Sequence, residues 1–379
     1  MQAIAALVPK PPLPMPRPPS RPPASAAPGR AGPTSLADVA ALAGVSPGTV
    51  SRVLSRPEMI SEATRTKVLA AADRLGYVAN GAARALAMRR THTVGALVPR
   101  FGGSSFPTLV QALETALAAE GYNLLLSAPD AARAHDPALL RSLLERGVDA
   151  VALLGAEQPA PVFALLAAHR MPFVLMWAQH SEQGPCIGFD EREAAALVVD
   201  HLADLGHRQL GFIGGRTADN ERARRRFGGV LAAVARRGLT LPPEALVETE
   251  YGFRQGFEAM QAVLARRTPV TAVVCGNDYL AAGALAALDQ AGIAVPGRMS
   301  VASFNDNEFA PYLHPPLTTV RVPIPAMGEL AARHLIAQLA GQRPATPPLL
   351  PVELKVRGST AAMPAATNPS TRKTRGERR

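Results

Sequence analysis

From Thr93 to Phe304 the sequence alternates short apolar runs with longer helical segments, and this alternation restricts the possible folds more than any other feature. The runs are VGALVP, YNLLLS, AVALL, PFVLMW, IGFD, LGFIGG, AVVCGND and SVASF. Between them lie helical patterns at Phe106 to Glu120, Pro137 to Arg146, a segment ending at Arg170, Glu191 to Leu205, one long helix after LGFIGG and another after AVVCGND. Repeated strand-helix units predict parallel sheets with helices on both faces, right-handed connections, and ligands at the carboxyl ends of the strands. The units are too many for one sheet.

Ahead of this region, SLADVAALAGVSPGTVSRVL reads differently. Ser35 and Asp38 form a capping-box pattern, and Leu36, Val39, Ala40 and Ala43 follow at helical spacing. Gly44 can take the left-handed conformation that ends a helix, Val45 can plug into a core, and Ser46-Pro47 is an N-cap with a first-turn proline. A second helix, Pro47 to Leu54, therefore starts at once, and Ser61 caps a third, Glu62 to Leu75, closed by Gly76. Two short helices joined by a tight glycine turn make a helix-turn-helix, whose second helix enters the major groove of DNA. Thr49 and Ser51 offer short hydroxyls to phosphates, and Arg52 can bridge guanine O6 and N7.

Charge follows the same division. Residues 1–33, 34–94 and 359–379 each carry a net +4, whereas 95–358 carries −2, so the formal +10 of the chain is concentrated outside the strand-helix region. A one-signed excess beside a helix-turn-helix points to a polyanion. Residues 1–33 are dominated by Pro, Ala and Arg, a composition that cannot repay the entropy of ordering, and are read as a disordered tail, as are the basic residues 359–379. Ala3 to Val8 is too short for a secretory signal and no run reaches transmembrane length, which predicts a cytoplasmic chain with no membrane partner. Cys186 and Cys275 lack metal-ligand spacing and fit buried small hydrophobes in a reducing compartment.

The residues DVAALAGVSPGTVSRVL, followed by ISEATRTKVLAAADRLGYVANGAARAL, closely resemble the headpiece of LacI/GalR regulators, and a looser resemblance continues to about residue 358. It implies a small all-α helix-turn-helix headpiece plus an α/β two-lobed domain like the periplasmic binding proteins. The expected layout is a tail over 1–33, headpiece over 34–78, hinge over 79–92 and effector-binding and dimerisation domain over 93–358. Function would then be that of an effector-controlled repressor, acting as a dimer on a palindromic operator in double-stranded DNA, with a tetramer equally compatible with the sequence. By the resemblance, Ser35, Ser46, Thr49 and Ser51 position the DNA backbone and Arg52 reads a base. Asn80 opens the hinge, Leu86 wedges into a central base step, and Ala83 lies at the close contact between the paired hinges. Pro47 and Gly48 depart from the family pattern, in which polar or aromatic side chains open the recognition helix, so readout shifts to Arg52, DNA shape and the hinge.

In the α/β region the resemblance places Asp278, Arg226 and Phe106 on ligand-facing positions, with Asp190 and Tyr251 beside them. Asp278 also suits a helix N-terminus, where a carboxylate answers the dipole. An Asp-Arg pair matches a polyhydroxylated effector, a sugar or sugar acid. Trp177 could stack on a ring but stands one place out of register with the family pattern. His207, in the LGHRQLGFIGG landmark, reads as structural.

Two other classes are weighed on residues. Gly44-Val-Ser46-Pro-Gly48 fits the G-x-S-x-G elbow of hydrolases, but a capped amphipathic helix precedes it where the elbow needs a buried strand. No P-loop, dinucleotide fingerprint, HExxH or cysteine cluster is present, so no cofactor or metal is expected and the chain is not read as an enzyme. A solute-binding protein without regulatory role would explain the α/β region but leave the headpiece without a purpose.

Overall fold

The computed structural model describes residues 34–363, apart from 82–84, 86, 87, 89, 100, 101, 103, 104, 131, 132, 134, 135 and 346, and the side chain of Pro57. The chain divides into two compact units, Met1–Ala87 and Met88–Arg379.

In the first unit, helix α1 (Leu36–Ala43) starts at a reciprocal capping box: the Asp38 amide donates to Ser35 Oγ, and the Ser35 amide donates to Asp38 Oδ2 at 2.8 Å. Gly44 ends it at φ 66°, where a side chain would be strained. Helix α2 (Pro47–Ser55) follows, capped by Ser46, and α3 (Glu62–Arg74) is capped by Ser61. Val39, Ala40, Ala43, Val50, Val53, Val68, Ala71 and Ala72 form the core between the three. These side chains are small, so the helices approach closely, and the exposed face of α2 is left to its polar residues.

The second unit contains two sheets. In the first, β1 (Thr93–Leu97), β2 (Asn123–Ser127), β3 (Ala150–Leu154), β4 (Phe173–Met176) and β5 (Cys186–Ile187) run in the order β2-β1-β3-β4-β5, all parallel. Their helices are α4 (Phe106–Ala119), α5 (Pro137–Glu145) and α6 (Ala160–Ala168). The second sheet has the order β11-β10-β9-β8-β6-β7, from β6 (Leu210–Gly215), β7 (Leu246–Thr249), β8 (Ala272–Cys275), β9 (Ser300–Asn305), β10 (Thr318–Arg321) and β11 (Glu353–Lys355). Its pairs are parallel except β10 with β11. The associated helices are α7 (Glu191–Asp204), α8 (Glu221–Arg236), α9 (Phe253–Ala265) and α10 (Asp278–Gln290). Helix α11 (Ile324–Leu339) follows β10 yet packs on α4, β3, β4 and β5, after which the chain returns to β11. The chain thus crosses between the lobes after β5, after β10 and after α11. Repeated crossing ties the lobes at one edge and leaves the opposite edge as a cleft.

Two expectations need correction. The single long helix after LGFIGG is two helices, α8 and α9, separated by β7; the Gly238 and Pro242-Pro243 breaks interrupt the helical pattern there. Second, the ordered domain runs past 358, because residues 359–363 are not tail. Ser359 Oγ donates to the Val301 carbonyl at 2.6 Å and accepts from the Thr318 amide at 2.8 Å, and the Met363 amide donates to the Leu205 carbonyl at 2.9 Å. His207 lies beneath this segment. Its Nδ1 contacts Thr271 Oγ1 at 2.9 Å, its Nε2 contacts Ser300 Oγ at 3.0 Å, and burial lowers its pKa.

Glycines set the closest helix packing. A methyl on Gly328 of α11 would stand 2.5 Å from the Leu109 carbonyl and 2.8 Å from the Leu113 amide of α4. On α10 and α9, methyls at Gly283 and Gly256 would run into the facing helix backbone, at the Phe253 carbonyl and the Leu280 carbonyl respectively. Ala is a better helix former than Gly by ~1 kcal/mol, but overpacking against a backbone that cannot retreat costs about 1–3 kcal/mol or more. Gly328→Ala should therefore lower the urea midpoint of unfolding with little change in m-value; a raised midpoint would show that the helices separate without cost.

Candidate functional site

On the first unit, the sequence of α2 decides which side chains face outward. Val50 and Val53 are buried against α1 and α3, which leaves Ser51 and Arg52 exposed and Thr49 half-buried. The Ser46 hydroxyl accepts from the Thr49 amide at 3.1 Å and shares a 2.9 Å hydrogen bond with the Thr49 hydroxyl. Ser46 and Thr49 therefore present one hydroxyl pair at the start of the helix. The Arg52 guanidinium lies beside Gly48, since a Cβ there would be in ordinary contact with its Nη2 at 3.6 Å. Ser35 is exposed at the start of α1 and Asn80 is exposed beyond α3. Ala83 and Leu86 lie outside the described residues.

On the second unit, a cavity of about 470 Å³ opens between the lobes at the carboxyl ends of their strands. One lobe contributes Leu97, Ser105, Phe106, Gly155, Gln158 and Trp177; the other contributes Arg222, Arg226, Tyr251, Asn277 and Asn305. The starts of α4, α6, α8 and α10 all border it, so their positive dipole ends converge there.

A buried ion pair forms the floor. Arg226 Nε and Nη2 donate to Glu191 Oε2 and Oε1 at 2.7 and 3.0 Å, and both side chains are nearly inaccessible to solvent. Arg226 also donates to the Gly276 carbonyl at 2.5 Å and lies over the Phe304 ring at 4.6 Å. Glu191 Oε1 accepts from the Trp177 indole at 3.1 Å. Trp177 meets Phe106 edge-on at 5.6 Å and Phe189 at 5.9 Å, making an aromatic wall. Tyr251 packs on Gly215, where a Cβ would be 2.5 Å from its ring, and burial raises its phenol pKa, with Arg226 opposing.

The backbone at two strand ends is strained. Trp177, after β4, has φ 54°, and Asn305, at the end of β9, has φ 107°. Each such residue costs of order 1–3 kcal/mol, and here the distortion re-aims a side chain into the cavity. Asn305 Nδ2 donates to Ser105 Oγ at 3.0 Å, while its buried Oδ1 has no hydrogen-bond partner among the described residues.

Polar contacts hold the lobes together beside the cavity. Glu221 Oε2 accepts from the Ala156 and Glu157 amides at 3.0 and 3.1 Å, and Glu157 pairs with Arg224. Across the site, Ser105 Oγ donates to Asn307 Oδ1 at 2.9 Å.

Of the residues singled out in the sequence, Phe106, Arg226 and Tyr251 come together on the cavity. Asp190 and Asp278 are not among its lining residues. Asp190 caps α7, accepting from the Arg192 amide at 2.8 Å and the Glu193 amide at 3.4 Å. Asp278 is fully buried and accepts four hydrogen bonds: from Ser303 and Thr319 hydroxyls at 2.5 and 2.7 Å, and from the Asn307 amide and side chain at 2.6 and 3.0 Å. It holds Asn307, which reaches Ser105 of the other lobe. Its neighbour Asn277 lines the cavity instead. Sequence reasoning missed Glu191, Glu221, Arg222 and Asn305, and left Trp177 out of register.

Residues 35–80 match the model for bacterial regulatory proteins of the lacI family, and residues 199–360 match a periplasmic binding protein-like domain. The chain is 37% identical over 341 residues to the HTH-type transcriptional regulator MalR of Streptomyces coelicolor, covering 87% of this chain and 98% of that protein. It is 34% identical over 306 residues to the ribose operon repressor of Escherichia coli K12, covering 80% and 92%. Among solved structures, the lac repressor dimer bound to operator and an anti-inducer superimposes with a TM-score of 0.77 at 29% identity, covering 87% of this chain and all of that one. These relatives are regulators and repressors of transcription, not enzymes. Among the described residues no helix is long and apolar enough to cross a membrane, and no cluster of His, Cys, Asp and Glu could hold a metal ion.

Burial pushes Asp278 up from 3.8 to about 6, against the lowering effect of its hydrogen bonds. With the folded value above the unfolded one, the folded state holds the extra proton, so this contribution to stability is present below pH 3.8 and lost as pH rises to about 6. Asp278→Asn should destabilise the protein by about 1–3 kcal/mol at neutral pH. Denaturant titrations across pH should show the gap between wild type and variant narrowing up to about pH 6 and flat above it. A gap independent of pH would place the carboxylate's titration elsewhere.

Proposed function

Because the chain belongs to the lacI family of bacterial regulatory proteins, we propose that it is a cytoplasmic repressor that binds a palindromic operator as a dimer and is controlled by a sugar or sugar acid bound between its lobes. The observation that carries this reading is the interlobe cavity. It combines an aromatic wall, convergent helix starts and a buried Glu191–Arg226 floor in a chain that also carries a capped helix-turn-helix. Apolar lining with a few convergent polar groups is what a small hydroxylated ligand needs.

One headpiece contacts too few bases for useful specificity, which favours a dimer on paired half-sites. Ser35, Ser46, Thr49 and Ser51 meet phosphates, and Arg52 reads a base edge. Asn80, Ala83 and Leu86 belong to the hinge, with Leu86 as the wedge in the minor groove. Phe106, Arg226 and Tyr251 serve the effector. Asp190 and Asp278 act on it through the helix start and the lobe contact that they hold. Effector binding changes the lobe arrangement and thereby the spacing of the two hinges in the dimer. The lobe contacts of Glu221 and Ser105 are the elements such a change would remake. Inducer and corepressor use the same parts with opposite bias.

Fluorescence anisotropy with the chain's own upstream promoter DNA, against a scrambled duplex at physiological salt, tests the reading. Promoter-selective binding shifted by one compound of a sugar and sugar-acid panel is the expected result; equal binding to both duplexes, indifferent to every compound, would overturn it. Arg52→Ala should cost about 1–3 kcal/mol at its base pair and relax specificity there. Leu86→Ala should weaken operator binding while sparing nonspecific binding, and an unchanged operator affinity would remove the wedge.

A further inference from the structure

Among the described residues, the charged side chains that line the cavity are already matched, with one exception inside it. Arg226 is held by Glu191, and Arg216 lies 3.6 Å from Glu250. Glu221 binds Arg225 Nε at 2.7 Å as well as two amides, and Glu157 pairs with Arg224. Asp219 lines the exposed rim, where water screens it. Arg222 differs. It lines the cavity and is largely covered, yet among the described residues it has neither a carboxylate nor a carbonyl partner within hydrogen-bond distance. Its guanidinium carbon lies 5.6 Å from the centroid of the Phe106 ring, and its N–H groups find no acceptor among the described residues.

The geometry around Arg222 is built to admit it. Gly155, at φ 84°, passes so close that a Cβ there would be 2.7 Å from Arg222 Nη1. The guanidinium therefore occupies space that any other residue at 155 would fill. Burial lowers the Arg222 pKa, with Tyr251, Glu191 and Glu221 opposing, so its charge is desolvated without an ion pair at hydrogen-bond distance. A fork of donors in such a place matches a planar or tetrahedral oxyanion. The convergent helix starts favour the same sign.

We infer that the cavity takes a hydroxylated oxyanion, a sugar acid or a sugar phosphate, whose charged group is bound by Arg222. Arg222 then sets specificity for acids over neutral sugars. This rests on the effector reading above and narrows its ligand class.

Trp177 is the single tryptophan of the chain and touches Phe106, on whose ring Arg222 lies, so its fluorescence reports the site directly. The full chain is titrated with matched pairs, D-glucose against D-gluconate and D-galactose against D-galactonate, with D-glucose 6-phosphate and inorganic phosphate as further arms. The acid member of a pair, or the phosphate ester, should bind about 10- to 100-fold more tightly than the neutral sugar, the range expected of hydrogen bonds to a charged group. Arg222→Gln should collapse that ratio towards one, and Arg222→Lys should restore part of it. Carboxylate and phosphate arms distinguish the two sources of the anion. Neutral sugars binding as well as their acids, or an acid preference that survives Arg222→Gln, would overturn the inference and leave the effector cavity standing. Emission indifferent to every compound, phosphate at tens of millimolar included, in a protein that binds DNA would overturn both.

Discussion

The paired charges of Glu191 and Arg226 are the interaction on which the rest of the site depends. Glu191 begins α7, Arg226 belongs to α8, and their partners come from the ends of β4 and β8 through the Trp177 indole and the Gly276 carbonyl. A pair so far from water recovers its desolvation cost only when geometry is good and the remaining donors are used. Here the guanidinium forms a fork with the carboxylate, donates to a carbonyl and stacks on Phe304. Removing either charge would strand the other and release Trp177, so the aromatic wall, the strained backbone at 177 and the cavity floor stand or fall together.

Much of the architecture was legible because short strands and capped helices leave local signatures. Apolar runs marked the strands of both sheets up to β9 with the exception of β7, and Ser35, Ser46 and Ser61 marked helix starts that the structure places at the same residues. Long-range pairing was not legible. The antiparallel β11, the return of α11 to the first sheet and the docking of residues 359–363 depend on partners far away in sequence. Those last residues, Ser-Thr-Ala-Ala-Met, carry no strand or helix pattern of their own; the two hydroxyls become structural only when carbonyls and a histidine meet them.

The site was legible to within one position, and helix geometry explains the error. Asp190 and Asp278 each stand at the start of a helix, where one residue turns the side chain by about 100°. Asp190 turns its Oδ1 to the cap, and the next residue, Glu191, enters the floor. At the other helix Asn277 takes the cap and the cavity edge, and Asp278 turns inward to Ser303, Thr319 and Asn307. Trp177 escaped registration for a related reason, since a left-handed residue after β4 breaks the alternation of faces by which strand side chains are assigned. Arg222 had no signal at all: four arginines stand within the stretch 222–226, and only the contacts around each tell a solvated charge from a buried one.

The glycine contact between α9 and α10 has a mechanical consequence. Gly256 faces the Leu280 carbonyl, and Gly283 faces the backbone of α9, so at these two points backbone meets backbone. Sliding either helix by one residue would bring a side chain to a place that fits only hydrogen. The pair is therefore locked in register, like meshed teeth, and has no soft shear mode. Since these two helices flank the strands whose ends carry Tyr251 and Asn277, strain entering at the cavity is not absorbed there.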